Sequence, residues 1–171
     1  MTPRTSRALL ALFAVSLLAV TPAGEKPPPG TDRARVLVVR LEGPVSPVTA
    51  YALIHAIDRA EDQGYRALVV EVDTPGGLES SMRDMVKREL SAQIPIITWV
   101  TPGGARAASA GVFVVMAAHV AAMSPGTNIG AATPINLQGP MDSTLARKAT
   151  NDAAAFARTV AAQRGRNAGW A

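Results

Sequence analysis

The fold is decided by residues 67–77, which read ALVVEVDTPGG. The first part is a nearly unbroken apolar run rich in valine, which is typical of a buried strand in a parallel sheet. Thr74-Pro75-Gly76-Gly77 then ends the strand abruptly. Consecutive glycines allow positive φ and a close approach of the backbone to a ligand. The stretch therefore predicts a buried strand that ends in a turn able to face a ligand.

The segments on both sides of this stretch alternate between strand and helix patterns. Further strands are predicted at 36–41, 94–100 and 120–123, and helices at 47–63, 78–91 and 106–118. This order predicts an α/β fold with a mainly parallel sheet, flanking helices and right-handed crossovers. Because ligands bind beyond the carboxyl ends of such strands, the loop at 73–77 and the small-residue stretch at 103–111 become the candidate site.

The composition limits the chemistry that the chain can perform. Of 171 residues, 48% are hydrophobic, so a substantial core is expected. Cysteine is absent, which excludes disulfides, thiolate metal sites and cysteine nucleophiles. With only two histidines, His55 and His119, an all-imidazole metal site is close to excluded. The net charge is +4, but the basic residues do not cluster, so nucleic acid is not an expected partner.

The N-terminus has the pattern of an export signal. Arg4 and Arg7 precede an apolar run at 8–20, which is shorter than the roughly 20 residues that cross a bilayer. Small residues at Thr21 and Ala23 suit cleavage after Ala23, with an uncleaved anchor as the alternative. Residues 1–23 are therefore predicted to be a signal peptide or N-terminal anchor, residues 24–34 a proline-rich linker, and residues 35–171 an exported, periplasmic or extracytoplasmic domain.

Ser109 is a candidate nucleophile because small residues flank it on both sides, in the order AASAG over 107–111. Small neighbours let an acyl group reach Oγ, and the N–H that follows the serine can join an oxyanion hole. A serine within a tightly packed helix explains the pattern equally well. In the same way, Gly76 and Gly77 at a helix start offer free N–H groups, although an ordinary turn also fits.

Three side chains are candidates for the general base that would accept the proton of Ser109. His119 lies ten residues after Ser109 on the same predicted helix, roughly 15 Å away at about 1.5 Å per residue, and is too far. His55 falls on the first helix and fits a surface histidine. Lys148 is predicted to open a helix with an apolar face, where burial would favour the neutral amine that accepts a proton. A solvated lysine at a helix start is the alternative.

Three motifs in this order and spacing carry a family resemblance: DTPGG at 73–77, AASAG at 107–111 and MSPGTNIGA at 123–131. The same family pattern includes a lysine-bearing segment, which here contains Lys148, Asn151 and Asp152 and the stretch at 164–167. From residue 35 to residue 171 the chain resembles the NfeD family of membrane-associated serine proteases. That family lies within the ClpP/crotonase superfamily and is related to signal peptide peptidase A.

The resemblance implies a ClpP/crotonase-like fold and a serine endopeptidase with a Ser-Lys dyad, no metal and no cofactor. Its expected substrates are hydrophobic peptide segments, notably of a stomatin-like membrane protein, and its expected state is a homodimer or higher homo-oligomer. The implied roles are a nucleophile at Ser109, a general base at Lys148, an oxyanion hole at Gly77 and Ala110, and substrate contacts at Gly76, Gly126, Thr127, Ile129 and Gly130.

Two alternatives stay open. The first is a catalytically inactive scaffold that binds a stomatin-like membrane partner. The second is an acyl-CoA enzyme of the crotonase type, against which export and the Ser109–Lys148 pair argue. Because family chains usually continue further, a C-terminally truncated domain is also expected, without the final sheet elements and dimer surfaces.

Overall fold

The computed structural model describes residues 35–135, 139, 142–169 and 171. The predicted signal segment 1–23 and linker 24–34 lie outside the described residues. Within the described ranges, no helix has the length and the apolar character needed to cross a membrane.

The chain alternates strands and helices along its length. The elements are, in order, β1 (Val36–Glu42), α1 (Pro47–Asp62), β2 (Ala67–Asp73), α2 (Glu79–Leu90), β3 (Ile96–Val100), β4 (Arg106–Ala108), α3 (Ala110–Ala117), β5 (Val120–Met123), β6 (Asn128–Gly130) and α4 (Ser143–Gln163). Strands β1, β2, β3 and β5 form one parallel sheet in that order, and β4 and β6 form a parallel pair. The predicted mainly parallel α/β fold is confirmed.

The core lies between the four-stranded sheet and its helices. Strand β2 pairs with β1 and β3, and Leu68, Val70 and Val72 on it are fully buried. Helix α1 packs against α2, α2 packs against α3, and α4 packs on α3. The apolar residues that these helices contribute remove the alternate side chains of the sheet from water, which supplies the main driving force for folding. The candidate site lies at the carboxyl end of β2.

Two predictions of local structure are wrong. Residues 106–118 were expected to be one helix, but Arg106–Ala108 form β4, and α3 starts at Ala110. The reason is the pairing of β4 with β6, 22 residues later, a long-range contact that no local pattern reveals. Lys148 does not open its helix either, because Asp142 caps α4 at Ser143 by accepting the N–H groups of Thr144 and Leu145.

One carboxyl group is buried without a partner. Glu89 near the end of α2 is fully buried, and neither of its side-chain oxygens accepts a hydrogen bond within the described ranges. Burial raises the pKa of the Glu89 carboxyl well above 4.5, and the nearby Arg164 guanidinium opposes the rise only in part. The neutral acid is therefore the form that the fold favours.

This burial makes stability depend on pH. Because the folded pKa of Glu89 is raised, its favourable contribution is complete below 4.5 and is lost as pH rises through the folded pKa. Denaturant unfolding at pH 5 and pH 8 is expected to show a lower free energy of unfolding at pH 8, and Glu89→Gln is expected to reduce that difference. Asp84→Asn, at an exposed carboxyl of the same helix, is the control and should leave the difference in unfolding free energy between pH 5 and pH 8 unchanged. An equal pH dependence in wild type and Glu89→Gln would contradict the assignment.

Candidate active site

Ser109 forms the turn between β4 and α3. Its backbone has φ 52° and ψ −117°, a left-handed conformation that is uncommon and costs about 1–2 kcal/mol for a residue with a Cβ. The Ser109 N–H donates to the Gly130 carbonyl at 2.9 Å, which fixes the turn from the β6 side. The hydroxyl has no hydrogen-bond partner in the part of the chain that the structure describes. A strained strand–serine–helix turn with a free Oγ is the geometry of a nucleophile elbow.

The turn after β2 is tied directly to β4. Thr74 N–H donates to the Arg106 carbonyl at 2.7 Å, and Ala108 N–H donates to the Thr74 carbonyl at 3.0 Å. The Thr74 hydroxyl, which is fully buried, accepts the N–H of Gly76 at 3.1 Å. These bonds bring the 74–77 turn beside Ser109. Thr74 is a residue whose part in the site the sequence did not reveal, since its partners on β4 lie more than thirty residues away.

Both positions of this turn require glycine because neighbouring atoms lie too close to leave room for a Cβ. A Cβ on Gly76, whose φ is 98°, would lie 2.4 Å from Ser109 Cβ and 3.0 Å from Ser109 Oγ. A Cβ on Gly77 would lie 2.1 Å from the Val45 carbonyl oxygen. Glycine at 76 thus leaves the space in front of the serine hydroxyl open.

Gly76→Ala is therefore expected to destabilise the fold by about 2–4 kcal/mol, from overpacking and left-handed strain together. It should also displace Ser109 and slow its acylation. The free energy of unfolding and the rate of labelling by a fluorophosphonate measure the two effects. Gly43→Ala is the matched control, since Gly43 has φ 78° with nothing within 4 Å of its Cβ position. If both variants lose the same stability and label equally fast, the overlap with Ser109 has no consequence.

Two backbone N–H groups beside Ser109 are free. In residues 35–135, where both lie, neither Gly77 N–H nor Ala110 N–H donates a hydrogen bond. Gly77 follows directly on the glycine that touches Ser109, and Ala110 is the residue after the serine. Unpaired N–H groups next to a nucleophile can stabilise the negative charge of a tetrahedral intermediate.

The four other residues of the expected substrate cleft lie along β6 or just before it. Ile129 and Gly130 pair with Ala107 and Ala108, and the Gly130 carbonyl accepts the Ser109 N–H, so this end of β6 adjoins the serine. The other two, Gly126 and Thr127, lie at the far end, where the Gly126 carbonyl accepts the N–H of Gly104. At about 3.3 Å per residue this far end is roughly 10 Å or more from Gly130.

Lys148 lies in the second turn of α4 and is exposed. The predicted burial of Lys148 is absent, because the partly buried residues of α4 that pack against the hydrophobic core are Ala153, Phe156 and Ala157, further along the helix. Within the described ranges its ammonium makes no hydrogen bond or ion pair, and therefore none to Ser109 Oγ.

Helix α4 nevertheless runs in the same direction as α3. Phe156 stacks on Phe113 with ring centroids 5.6 Å apart, and Arg164 after α4 donates to the carbonyl of Ala117 at the end of α3. Ser109 is one turn before Phe113, and Lys148 is about two turns, roughly 12 Å, before Phe156. Both residues therefore lie toward the same end of the helix pair.

The histidines lie elsewhere. His119 follows α3 at its other end, where its Nδ1 accepts the N–H of Ile96 at 3.1 Å. Burial and then the charge of Arg164 lower the pKa of His119, which favours the neutral imidazole. His55 is exposed on α1 against the ring of Tyr51. Among the described residues no group of three acidic or histidine side chains could hold a metal ion.

The sequence profile of the NfeD1b N-terminal domain matches residues 35–171. The chain is 37% identical over 135 residues to the membrane-bound protease PH1510 of Pyrococcus horikoshii and 31% identical over 132 residues to the membrane protein NfeD1b of Bacillus subtilis. These matches span 78% and 77% of this chain but only 31% and 28% of the relatives.

Solved structures of the 1510-N membrane-bound stomatin-specific protease are also similar. A serine-to-alanine variant gives a TM-score of 0.73 at 35% identity, over 80% of this chain and 67% of the other. A lysine-to-alanine variant in complex with a substrate peptide gives a TM-score of 0.73 at 34% identity, over 81% and 64%. This likeness confirms the predicted α/β fold of the ClpP/crotonase type.

Proposed function

This chain belongs to the NfeD1b N-terminal domain family, and from that membership we propose that it is a serine endopeptidase with a Ser109–Lys148 dyad. The observation that carries the proposal is the strained turn at Ser109, whose free hydroxyl lies beside the free N–H groups of Gly77 and Ala110. A nucleophile next to unpaired N–H donors is the arrangement that acyl transfer needs.

The proposed reaction proceeds through an acyl-enzyme. Neutral Lys148 accepts the proton of the Ser109 hydroxyl as Oγ attacks the peptide carbonyl carbon. The negative charge on the carbonyl oxygen is stabilised by the N–H groups of Gly77 and Ala110. The C–N bond then breaks, and Lys148 returns the proton to the leaving amine. A water molecule then attacks the ester carbonyl carbon while Lys148 accepts one of its protons. The C–Oγ bond breaks, Lys148 returns that proton to Ser109 Oγ, and the acid is released.

Two observations support Lys148 as the base. Its helix runs alongside α3 in the same direction, with Lys148 and Ser109 toward the same end. The related protease has been solved with a serine and with a lysine replaced by alanine, the same two residue types in the same chain order. Because Lys148 is exposed in the free chain, the proposal requires α4 and a bound peptide to shield it from water and so to favour its neutral form.

We assign the substrate from the same comparisons. The related protease is described as specific for stomatin, and one of its structures holds a substrate peptide, so the proposed substrate is an apolar segment of a stomatin-like membrane protein. Two apolar side chains near helix starts are exposed to solvent. Leu78, just before α2, is 45% exposed, and Leu145, in the first turn of α4, is 51% exposed. Gly76, Ile129 and Gly130 would contact the peptide nearest Ser109, with Gly126 and Thr127 further along.

The cellular setting belongs to the same proposal. Both curated relatives are named as membrane proteins. Residues 1–23 would direct the domain across or onto the membrane, and the working state would be a homodimer or higher homo-oligomer. Such a placement would bring the site to membrane-protein substrates.

One observation favours a second candidate function. Lys148 is exposed and makes no hydrogen bond to Ser109 within the described ranges, which also fits an inactive scaffold that binds a stomatin-like partner. Incubation of the chain with a peptide from the C-terminal region of a stomatin homologue separates the two. The peptidase should give two fragments whose masses sum to the peptide plus one water, whereas binding without fragments would favour the scaffold.

A further inference from the structure

The two residues of the proposed dyad are held by very different means. Ser109 directly follows β4, and its N–H donates to the Gly130 carbonyl of the paired strand β6. Lys148 lies on α4, and over Ser143–Gln163 the structure describes one hydrogen-bonded link between that helix and another element. This link joins Asp152 to Arg83 of α2. The position of Lys148 relative to Ser109 therefore depends on Arg83 and on apolar packing further along α4.

Arg83 contacts three side chains at once. Its Nε donates to Glu79 Oε1 at 2.7 Å, and its Nη2 donates to Asp152 Oδ2. Its Cζ lies 4.4 Å from the centroid of the Phe156 ring, which in turn stacks on Phe113 of α3. The pKa of Arg83 is raised, first by the hydrogen bond to Glu79. Only a planar guanidinium with several donors satisfies this set of partners.

These partners connect the parts of the proposed site. Glu79 begins α2 two residues after Gly77 of the proposed oxyanion hole, and Asp152 is one helical turn after Lys148. Arg83 thus joins the start of α2 to the turn of α4 that follows the lysine. Its side chain is 37% exposed and that of Asp152 65%, so the pair adds little to global stability. Its effect is on where α4 lies rather than on whether the chain folds.

We propose that Arg83 is a positioning residue that holds the Lys148 segment of α4 at the Ser109 turn. This inference rests on the proposed function of Ser109 and Lys148, and Arg83 itself touches neither substrate nor reacting atoms. Misplacement of a catalytic group by about 1 Å can cost up to 100-fold in rate. Loss of the Arg83–Asp152 contact should therefore slow the acylation of Ser109 while leaving peptide binding and the fold nearly unchanged.

The test uses Arg83→Gln, Asp152→Asn and the double variant, with Arg158→Gln, at an exposed arginine of α4, as control. Each single change should lower the rate of Ser109 labelling by a fluorophosphonate about tenfold, with peptide Kd within about twofold. The double variant should be no slower than Arg83→Gln, since both act through one contact. Single variants that label at the wild-type rate, or losses that multiply in the double variant, would overturn the proposal.

A second measurement does not need activity. In Arg83→Gln, amide hydrogen exchange over 145–153 should accelerate about fivefold, while 160–163 stays protected because Arg164 still bonds to Ala117 and Glu89 carbonyls. Unchanged exchange over 145–153 would overturn the positioning role. If Ser109→Ala still cleaved peptide, the proposed function would fail instead, whatever the exchange shows. If Ser109→Ala is inactive and the Arg83 variants behave as wild type, only the positioning role fails.

Discussion

Replacing Ser109 with alanine is expected to lower peptide hydrolysis by at least about 10⁴-fold, since the acyl-enzyme can no longer form. The turn itself should survive, because alanine meets the same left-handed strain at φ 52° and the N–H to Gly130 remains. Steady-state cleavage of the stomatin-type peptide and a melting curve measure the two effects. Loss of activity with an unchanged melting temperature is the expected pair of results.

Ser80→Ala is the control for this experiment. Ser80 is an exposed serine in the first turn of α2, near the site, and its hydroxyl makes no hydrogen bond in the described ranges. It should cleave at the wild-type rate. Activity retained by the purified Ser109→Ala variant itself would mean that another group performs the reaction, and the nucleophile assignment would be wrong.

Replacing Lys148 with methionine is expected to lower the rate of hydrolysis by about 10²–10⁴-fold. Methionine keeps most of the apolar stem and removes the amine, so the change tests proton transfer rather than packing. Peptide Kd should stay within about threefold, because the loss falls on the chemical step. Rapid-mixing measurement of acylation, together with Kd from titration of the Ser109→Ala background, separates these quantities.

Lys87→Met is the matched control, since Lys87 is an exposed lysine on the neighbouring helix α2. It should behave as wild type in both measurements. Equal activity of Lys148→Met and Lys87→Met would show that the amine of Lys148 takes no part. Full binding without hydrolysis in wild type and in all variants would instead favour the scaffold.

The sequence predicted most of the sheet because its signals are local. The valine-rich run at 67–73 ends at a Pro-Gly-Gly turn, and the structure has β2 over the same residues. Helix α1 likewise follows from the apolar spacing over 47–63, and the structure has it over Pro47–Asp62. The patterns of buried strands and amphipathic helices lie in consecutive residues, so a single sequence is enough to predict these elements.

The site was only partly predictable because its geometry depends on distant residues. Small neighbours mark Ser109, but the strand before it exists through its pairing with β6, and Gly76 is required by a contact with a residue 33 positions later. Lys148 was expected in a buried helix start, whereas the structure places it in an exposed second turn. Arg83 had no local signal at all, since its partner Asp152 is 69 residues away.

The most direct test of the central claim is to identify the residue that a fluorophosphonate modifies, by mass spectrometry of the digested chain. We expect one adduct, on the peptide that contains Ser109, formed quickly in wild type and very slowly in Lys148→Met. An adduct on another serine, or no adduct from a chain that still cleaves peptide, would contradict it.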